Sequence, residues 1–326
     1  MIVERQMALK LRFTPLAMDQ SDTNPPENDL GPSIDQENLI RAIRESGYPL
    51  QVAVAEKLQG AFGVTEEWGY VDRDTGKHRT LDVFAFKILP GGAVQPYFVL
   101  LVECKRSVHP YIFFQNAILR HLPDYPTVVG LNYQSTLLQA DNRSQEVTPA
   151  AILGLAELPF IQSGPALCSA FARAIANGKK FELSGSEPFN SLVLPLVKAV
   201  DHAKRLYQHS PANSPLQPTL ILCASVVDAP LVLATGPQES LDFQLTPWVR
   251  VPRQEDHESG SGYKRVQYGI DVIHIAFLDT YISKHLVPFV TQFGEHAHQQ
   301  ATVLNQGGVV TDLKNWRWNE IKPAGR

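Results

Sequence analysis

Two acids and a lysine near the ends of two apolar runs carry the strongest chemical signal in this chain. The stretch Tyr97–Lys105 reads YFVLLVECK. Side chains on a strand alternate faces, so Glu103 and Lys105 point one way and Cys104 the other. An acid and a lysine side by side at a strand end can hold a cation and a water together. Asp82 supplies a second carboxylate from the preceding run, His78–Leu89, and Pro90-Gly91-Gly92 forms a turn between the two. Paired residue numbers in an antiparallel hairpin sum to a constant, and a pairing of 82 with 103 centres between Gly92 and Ala93, inside that turn. Directly opposite, the two side chains stand about 5 Å apart. Carboxylates that close repel unless a cation sits between them. Oxygen ligands favour Mg²⁺, or Mn²⁺, which keep positions for water and phosphate. Such an ion lowers the pKa of bound water and stabilises charge on a phosphorane-like transition state. Lys105 would orient or help deprotonate that water, or neutralise the phosphate.

A structural reading competes with this one. Asp82 can pair with Arg79 or Lys105, and Glu103–Lys105 can be a surface ion pair of little energetic weight. Against it, acids at apolar strand positions are costly unless paired or functional. Two further acid-x-lysine triplets, Asp312-Lys314 and Glu320-Lys322, lie in a polar C-terminal stretch with no apolar strand in front.

The elements that must position these residues follow from spacing and turn chemistry. Ser33 and Gln36 form a capping box for a helix through Leu39, Ile40 and Ile43, which Gly47-Tyr48-Pro49 breaks. Pro49 opens a second helix ending near Gly60, with Leu50, Ala53, Val54 and Leu58 inward and Glu56 on the flank. Strands are predicted over Val64–Val71, His78–Leu89 and Tyr97–Lys105, the first pair joined by the Asp72–Gly76 turn. Farther on, His109–Leu122 reads as partly helical and 135–150 as loop. Helices are predicted over 165–177 and 190–209, and strands over Thr219–Val226, Leu231–Thr235 and Tyr268–Leu278. A flexible polar loop is predicted over 252–265, and a last helix over Thr280–Phe293, kinked at Pro288.

Helix with Glu56, strand, strand with Asp82, strand with Glu103-x-Lys105: this pattern resembles the PD-(D/E)xK nuclease superfamily over about residues 37–106. Leu81 stands where that family often has proline. The resemblance implies a restriction-endonuclease-like αβββαβ core, completed by the helix at 190–209 and the strand at 219–226. It implies Asp82 and Glu103 as metal ligands and Lys105 as the catalytic lysine. Glu56 matches the further acid that some members carry on the first helix, acting through water, and the Cys104 backbone carbonyl joins the ligand set. For Glu56 a solvated helix flank is the competing reading. The expected activity is Mg²⁺-dependent hydrolysis of nucleic acid, DNA favoured over RNA. The alternative is a catalytically silent nucleic-acid- or protein-binding module on the same fold.

Composition bounds these readings. The chain has 326 residues, 44 % of them hydrophobic, enough for a sizeable core. Lys plus Arg number 29 against 33 Asp plus Glu, a net charge of −4, which excludes bulk-charge coating of nucleic acid. Recognition is then left to a local groove, a homodimer, or a partner protein that delivers the substrate. Cys104, Cys168 and Cys223 lie far apart, arguing against disulfides or a cysteine zinc site and for a cytoplasmic setting. No apolar segment is long enough to span a membrane. The expected layout is α/β: a disordered tail over 1–32, one domain over 33–293 and an extension over 294–326. Within the domain the catalytic region takes 33–134, a helical insertion 135–215, and the remaining mixed sheet and final helix 216–293. Among weaker features, His296 and His298 read as a solvated helix end rather than a metal site, and Asp271 and His274 as core residues. Arg250, Arg253, Lys264 and Arg265 read as either a phosphate grip or a solvated loop.

Overall fold

The computed structural model describes residues 28–115, 122, 125–131, 136–140, 143–210, 214–259, 262–306 and 309–310. The chain divides into two units, Met1–Arg44 and Glu45–Arg326. Residues 1–27 of the expected tail lie outside the described residues, as do Asp312, Lys314, Glu320 and Lys322. The first helix, α1 (Gln36–Glu45), buries none of its residues. Its cap is Asp35, whose carboxylate accepts from the Glu37 and Asn38 amides, not the predicted Ser33.

The second unit is mixed α/β. Helix α2 (Tyr48–Gln59) carries Pro49 in its first turn, where a missing N–H costs nothing, and buries Leu50, Val54, Ala55 and Leu58. Strands β1 (Gly63–Val71), β2 (His78–Ile88) and β3 (Tyr97–Arg106) follow as the hairpin turns predict. After β3 the chain departs from expectation. Tyr111–Gln115 is a strand, β4, where a partly helical segment was expected. Strand β5 (Thr127–Val129) precedes an antiparallel pair, β6 (Thr136–Ala140) and β7 (Arg143–Val147), in the stretch read as loop. Cys168–Asn177 is strand β8, not a helix, paired with β9 (Lys180–Ser184). The predicted helical insertion is therefore largely strand. Its alanines favour a helix locally, but pairing with β4 overrides that weak preference.

Helix α3 (Leu194–Leu206) then leads to β10 (Thr219–Asp228), β11 (Leu231–Thr235) and β12 (Asp242–Leu245). The predicted flexible loop is instead part of a long ladder between β13 (Trp248–Ser259) and β14 (Gly262–His274), whose tip at 260–261 lies outside the described residues. Helices α4 (Val287–Gln299) and α5 (Ala301–Gln306) run past the expected end at Phe293, and they place Ala297, Ala301 and Leu304 in the core. A short strand, β15 (Val309–Val310), pairs with β6. Both α3 and α4 carry proline as their second residue and follow a π-helical turn, Phe189–Val193 and Tyr281–Leu286. Proline lacks an N–H and crowds the carbonyl four residues back, and a widened turn relieves that conflict.

The main sheet runs β1-β2-β3-β10-β14-β13, with β5 beside the start of β10. The first three strands are antiparallel, and β10 lies parallel to both β3 and β14. A second sheet runs β12-β11-β4-β8-β9, and a third β15-β6-β7. Helix α2 packs with Val83, Ala85, Leu100, Val102 and Cys104 on one face of the main sheet. Helix α3 packs with Leu81, Phe84, Val99 and Leu101 on the other. No described helix is long and apolar enough to cross a membrane.

Candidate active site

Strand register decides which acids meet. Every β2–β3 pair sums to 185, from Ile88↔Tyr97 to Val83↔Val102, as the turn arithmetic requires. The next pair in that series is Asp82 with Glu103, and there the ladder stops. In place of a strand carbonyl, the Asp82 carboxylate accepts the Cys104 amide N–H at 2.6 Å. The cause lies in the facing of β2. Leu81 and Phe84 belong to the α3 side, Val83 and Ala85 to the α2 side, so alternation breaks at Asp82 and its side chain turns toward β3.

Glu103 lies on the α3 side, since it alternates with Val102 and Cys104 of the α2 side. It is 6 % exposed. Beside it in the parallel ladder is Ser225, buried, whose hydroxyl donates to the Leu192 carbonyl at 2.7 Å. Lys105 Nζ meets Glu103 Oε1 at 2.6 Å, and Glu103 Oε2 is buried without a hydrogen-bond partner. Burial, then the Asp82 charge, pushes the Glu103 carboxyl up to about 7, with Lys105 offsetting part of the rise. Asp82 is also raised: burial outweighs the Cys104 N–H and the Lys105 charge, which pull it down. Burial pulls Lys105 down, but Glu103 outweighs it, so the ammonium is held above its ordinary value.

Asp82, Glu103, Cys104 and Lys105 are thus brought together, and Glu56 is not. It is exposed on α2, which covers the opposite face of the sheet. A different acid takes part electrostatically. Glu67 lies between the pairs Glu66↔Val83 and Trp68↔Leu81, opposite Asp82, with a backbone φ of 51°. Its charge raises both Asp82 and Glu103. A residue with a Cβ in that conformation is strained by roughly 1–2 kcal/mol. The hairpin arithmetic about the Asp72–Gly76 turn is the sequence signal for Glu67, since it sets residue 67 opposite residue 82.

Among the described residues no group of three or more His, Cys, Asp or Glu is arranged to hold a metal ion. The donors that do meet still suit a hard cation. Glu103 Oε2 is a buried oxygen without a hydrogen-bond partner among the described residues, and the Asp82 carboxylate stands beside it on the neighbouring strand. Mg²⁺ is commonly bound by one or two carboxylates and keeps several waters.

Of the weaker features, the buried arginine and the histidines have structural partners, while the side chains of Lys264 and Arg265 lie outside the described ones. Arg250 is fully buried and forks onto Asp271, at 2.7 Å from Nε and 3.1 Å from Nη2, so it grips no phosphate. His296 Nδ1 lies 2.7 Å from the Leu153 carbonyl, His298 Nε2 lies 2.7 Å from that of Pro90, and His274 caps Ala276.

Compared with family models, curated proteins and solved structures, the chain matches none of them.

Proposed function

We propose that the chain is a metal-dependent nuclease of the PD-(D/E)xK type, hydrolysing phosphodiester bonds in nucleic acid, with DNA favoured over RNA. One observation carries the reading: Asp82 and Glu103 face each other on neighbouring strands where the β2–β3 ladder stops, with a buried, unpartnered Glu103 oxygen and Lys105 on its other oxygen. The run α2-β1-β2-β3, followed after β4–β9 by α3 and by β10 parallel to β3, supports it. Fold alone does not fix function, so the weight rests on the side chains.

Asp82, Glu103 and the Cys104 carbonyl would hold Mg²⁺ or Mn²⁺, which supplies an activated water and neutralises charge on the phosphate. Burial and the Asp82 charge hold the Glu103 carboxyl up to about 7, and a bound cation would favour its ionised form. Lys105 is cationic at neutral pH and a third exposed, so it orients water or phosphate as a hydrogen-bond donor and does not serve as a base. Three buried free cysteines fit a cytoplasmic setting.

The test is cleavage of supercoiled DNA, linear DNA and RNA with Mg²⁺ or Mn²⁺ by the wild type, Asp82→Ala, Lys105→Ala and Glu56→Ala. Loss of at least about a hundredfold in the first two variants, with Glu56→Ala unaffected, supports the reading. Equal cleavage by wild type, Asp82→Ala and Lys105→Ala sinks it. The closed Glu103–Lys105 pair also suits a silent binding module. Retention of DNA with no cleavage in either metal assigns that role instead.

A further inference from the structure

The second sheet has two apolar faces, and only one of them is needed for the core. Tyr111, Phe113, Leu231 and Leu233 point inward, into the cluster beneath α3. The alternate residues form the outer face, and register identifies them. Val232 and Ala234 of β11 pair with Leu245 and Phe243 of β12 on one side, and with Ile112 and Phe114 of β4 on the other. Across β8 the same face continues through alanines at every second position from 170 to 176. On β9 it ends with Leu183, opposite Ala174, and Phe181, opposite Ala176. Among the described residues no position on this face is charged or polar.

Its two edges are open. Phe243 is 73 % exposed and Leu245 76 % on β12; Phe181 is 69 % and Leu183 55 % on β9. An amphipathic sheet that merely covers a core shows polar residues outward, because water makes exposed apolar area costly. Here β12 and β9 do the reverse, with Asp242, Gln244 and Glu182 on the inner alternation.

We infer that this face is the interface between two copies of the chain, packed sheet on sheet. Two properties select a second copy. A two-fold interface sets the same patch of both copies face to face, and an uncharged apolar patch is complementary to itself. The area is also sufficient. The four edge side chains alone expose about 500 Å² per copy, or about 1,000 Å² for two, at the threshold of a specific interface. Nucleic acid would require cations on the face itself, and its described positions carry none; a lipid surface is the competing occupant that the vesicle measurement below separates. The inference is independent of the proposed nuclease activity.

Sedimentation of the full chain across the micromolar range tests it, with Phe243→Lys/Leu245→Lys and Phe181→Lys/Leu183→Lys beside the wild type. The wild type is expected at twice the mass of one chain. Each double variant should raise the dissociation constant at least about thirtyfold while keeping the wild-type circular dichroism spectrum. Radical footprinting of the wild type is the second measurement, needing no variant: oxidation of Phe243 and Leu245 should fall as concentration rises. A monomer throughout, including one that floats with phosphatidylcholine vesicles, overturns the inference. So does a dimer that both charged variants leave intact, or footprinting that is independent of concentration.

Discussion

Replacing Glu103 with glutamine should make the metal-free protein more stable at pH 8, although an ion pair is lost. Burial and Asp82 hold the carboxyl near 7 against an ordinary 4.5. At 1.36 kcal/mol per pKa unit, ionising Glu103 in the folded state costs about 3 kcal/mol. Between those two values the folded chain holds more protons than the unfolded one, so stability falls as pH rises through the window. Below about pH 4.5 the burden is absent; above about pH 7 it is complete. Glutamine keeps the shape and removes the charge. It gives up the Lys105 contact, but that ammonium is a third exposed and can turn to water, an offset of about 1 kcal/mol. The net expectation is a gain of about 2 kcal/mol at pH 8, shrinking toward zero at pH 4.5, together with a flatter pH profile. Urea unfolding of both proteins at several pH values, without divalent ions, measures it. Repeating the series with saturating Mg²⁺ should stabilise the wild type by about 3 kcal/mol at a hundredfold excess over its dissociation constant, and the variant much less. A variant no more stable than wild type at pH 8, or one with an unchanged slope, refutes the argument that burial of this carboxylate is costly.

Glu67→Gly releases the strain of a positive φ and should raise stability by about 0.5–1 kcal/mol, after the entropy of the added glycine, while weakening Mn²⁺ binding in a calorimetric titration. Asp271→Asn strips the counter-charge from the fully buried Arg250 and weakens the acceptor of the Tyr281 hydroxyl, which donates at 2.9 Å. It should cost about 3–5 kcal/mol in urea unfolding, and Arg250→Met/Asp271→Leu should recover much of that loss.

The hairpin that brings Asp82 and Glu103 together was legible because its information is local. A turn at Gly91-Gly92 and two apolar runs are enough to set 82 against 103, and the observed register keeps that sum. The same arithmetic, carried across the neighbouring turn, also reaches Glu67. Glu56 was misplaced for a non-local reason. Helical spacing shows that it lies on a flank, but which sheet face the helix covers depends on packing with strands far along the chain. Segments 111–115 and 168–177 were missed in the same way, because each is a strand by virtue of its partners. The β13–β14 ladder defeats composition altogether, since a polar stretch with a Gly-Ser tip can be read as linker or as long hairpin.

The parallel contact between β3 and β10 sets a timetable for the protein's synthesis. Glu103 and Ser225 lie side by side in the sheet but are separated in the chain by about 120 residues. The hairpin that holds Asp82 and Glu103 can close as soon as it leaves the ribosome. The strand that walls in the Glu103 carboxylate arrives only with Thr219–Asp228. Until then the Glu103 oxygen that is buried in the folded chain is not yet enclosed. A chain that stops short of β10 therefore carries Asp82, Glu103 and Lys105 without the neighbour that encloses Glu103.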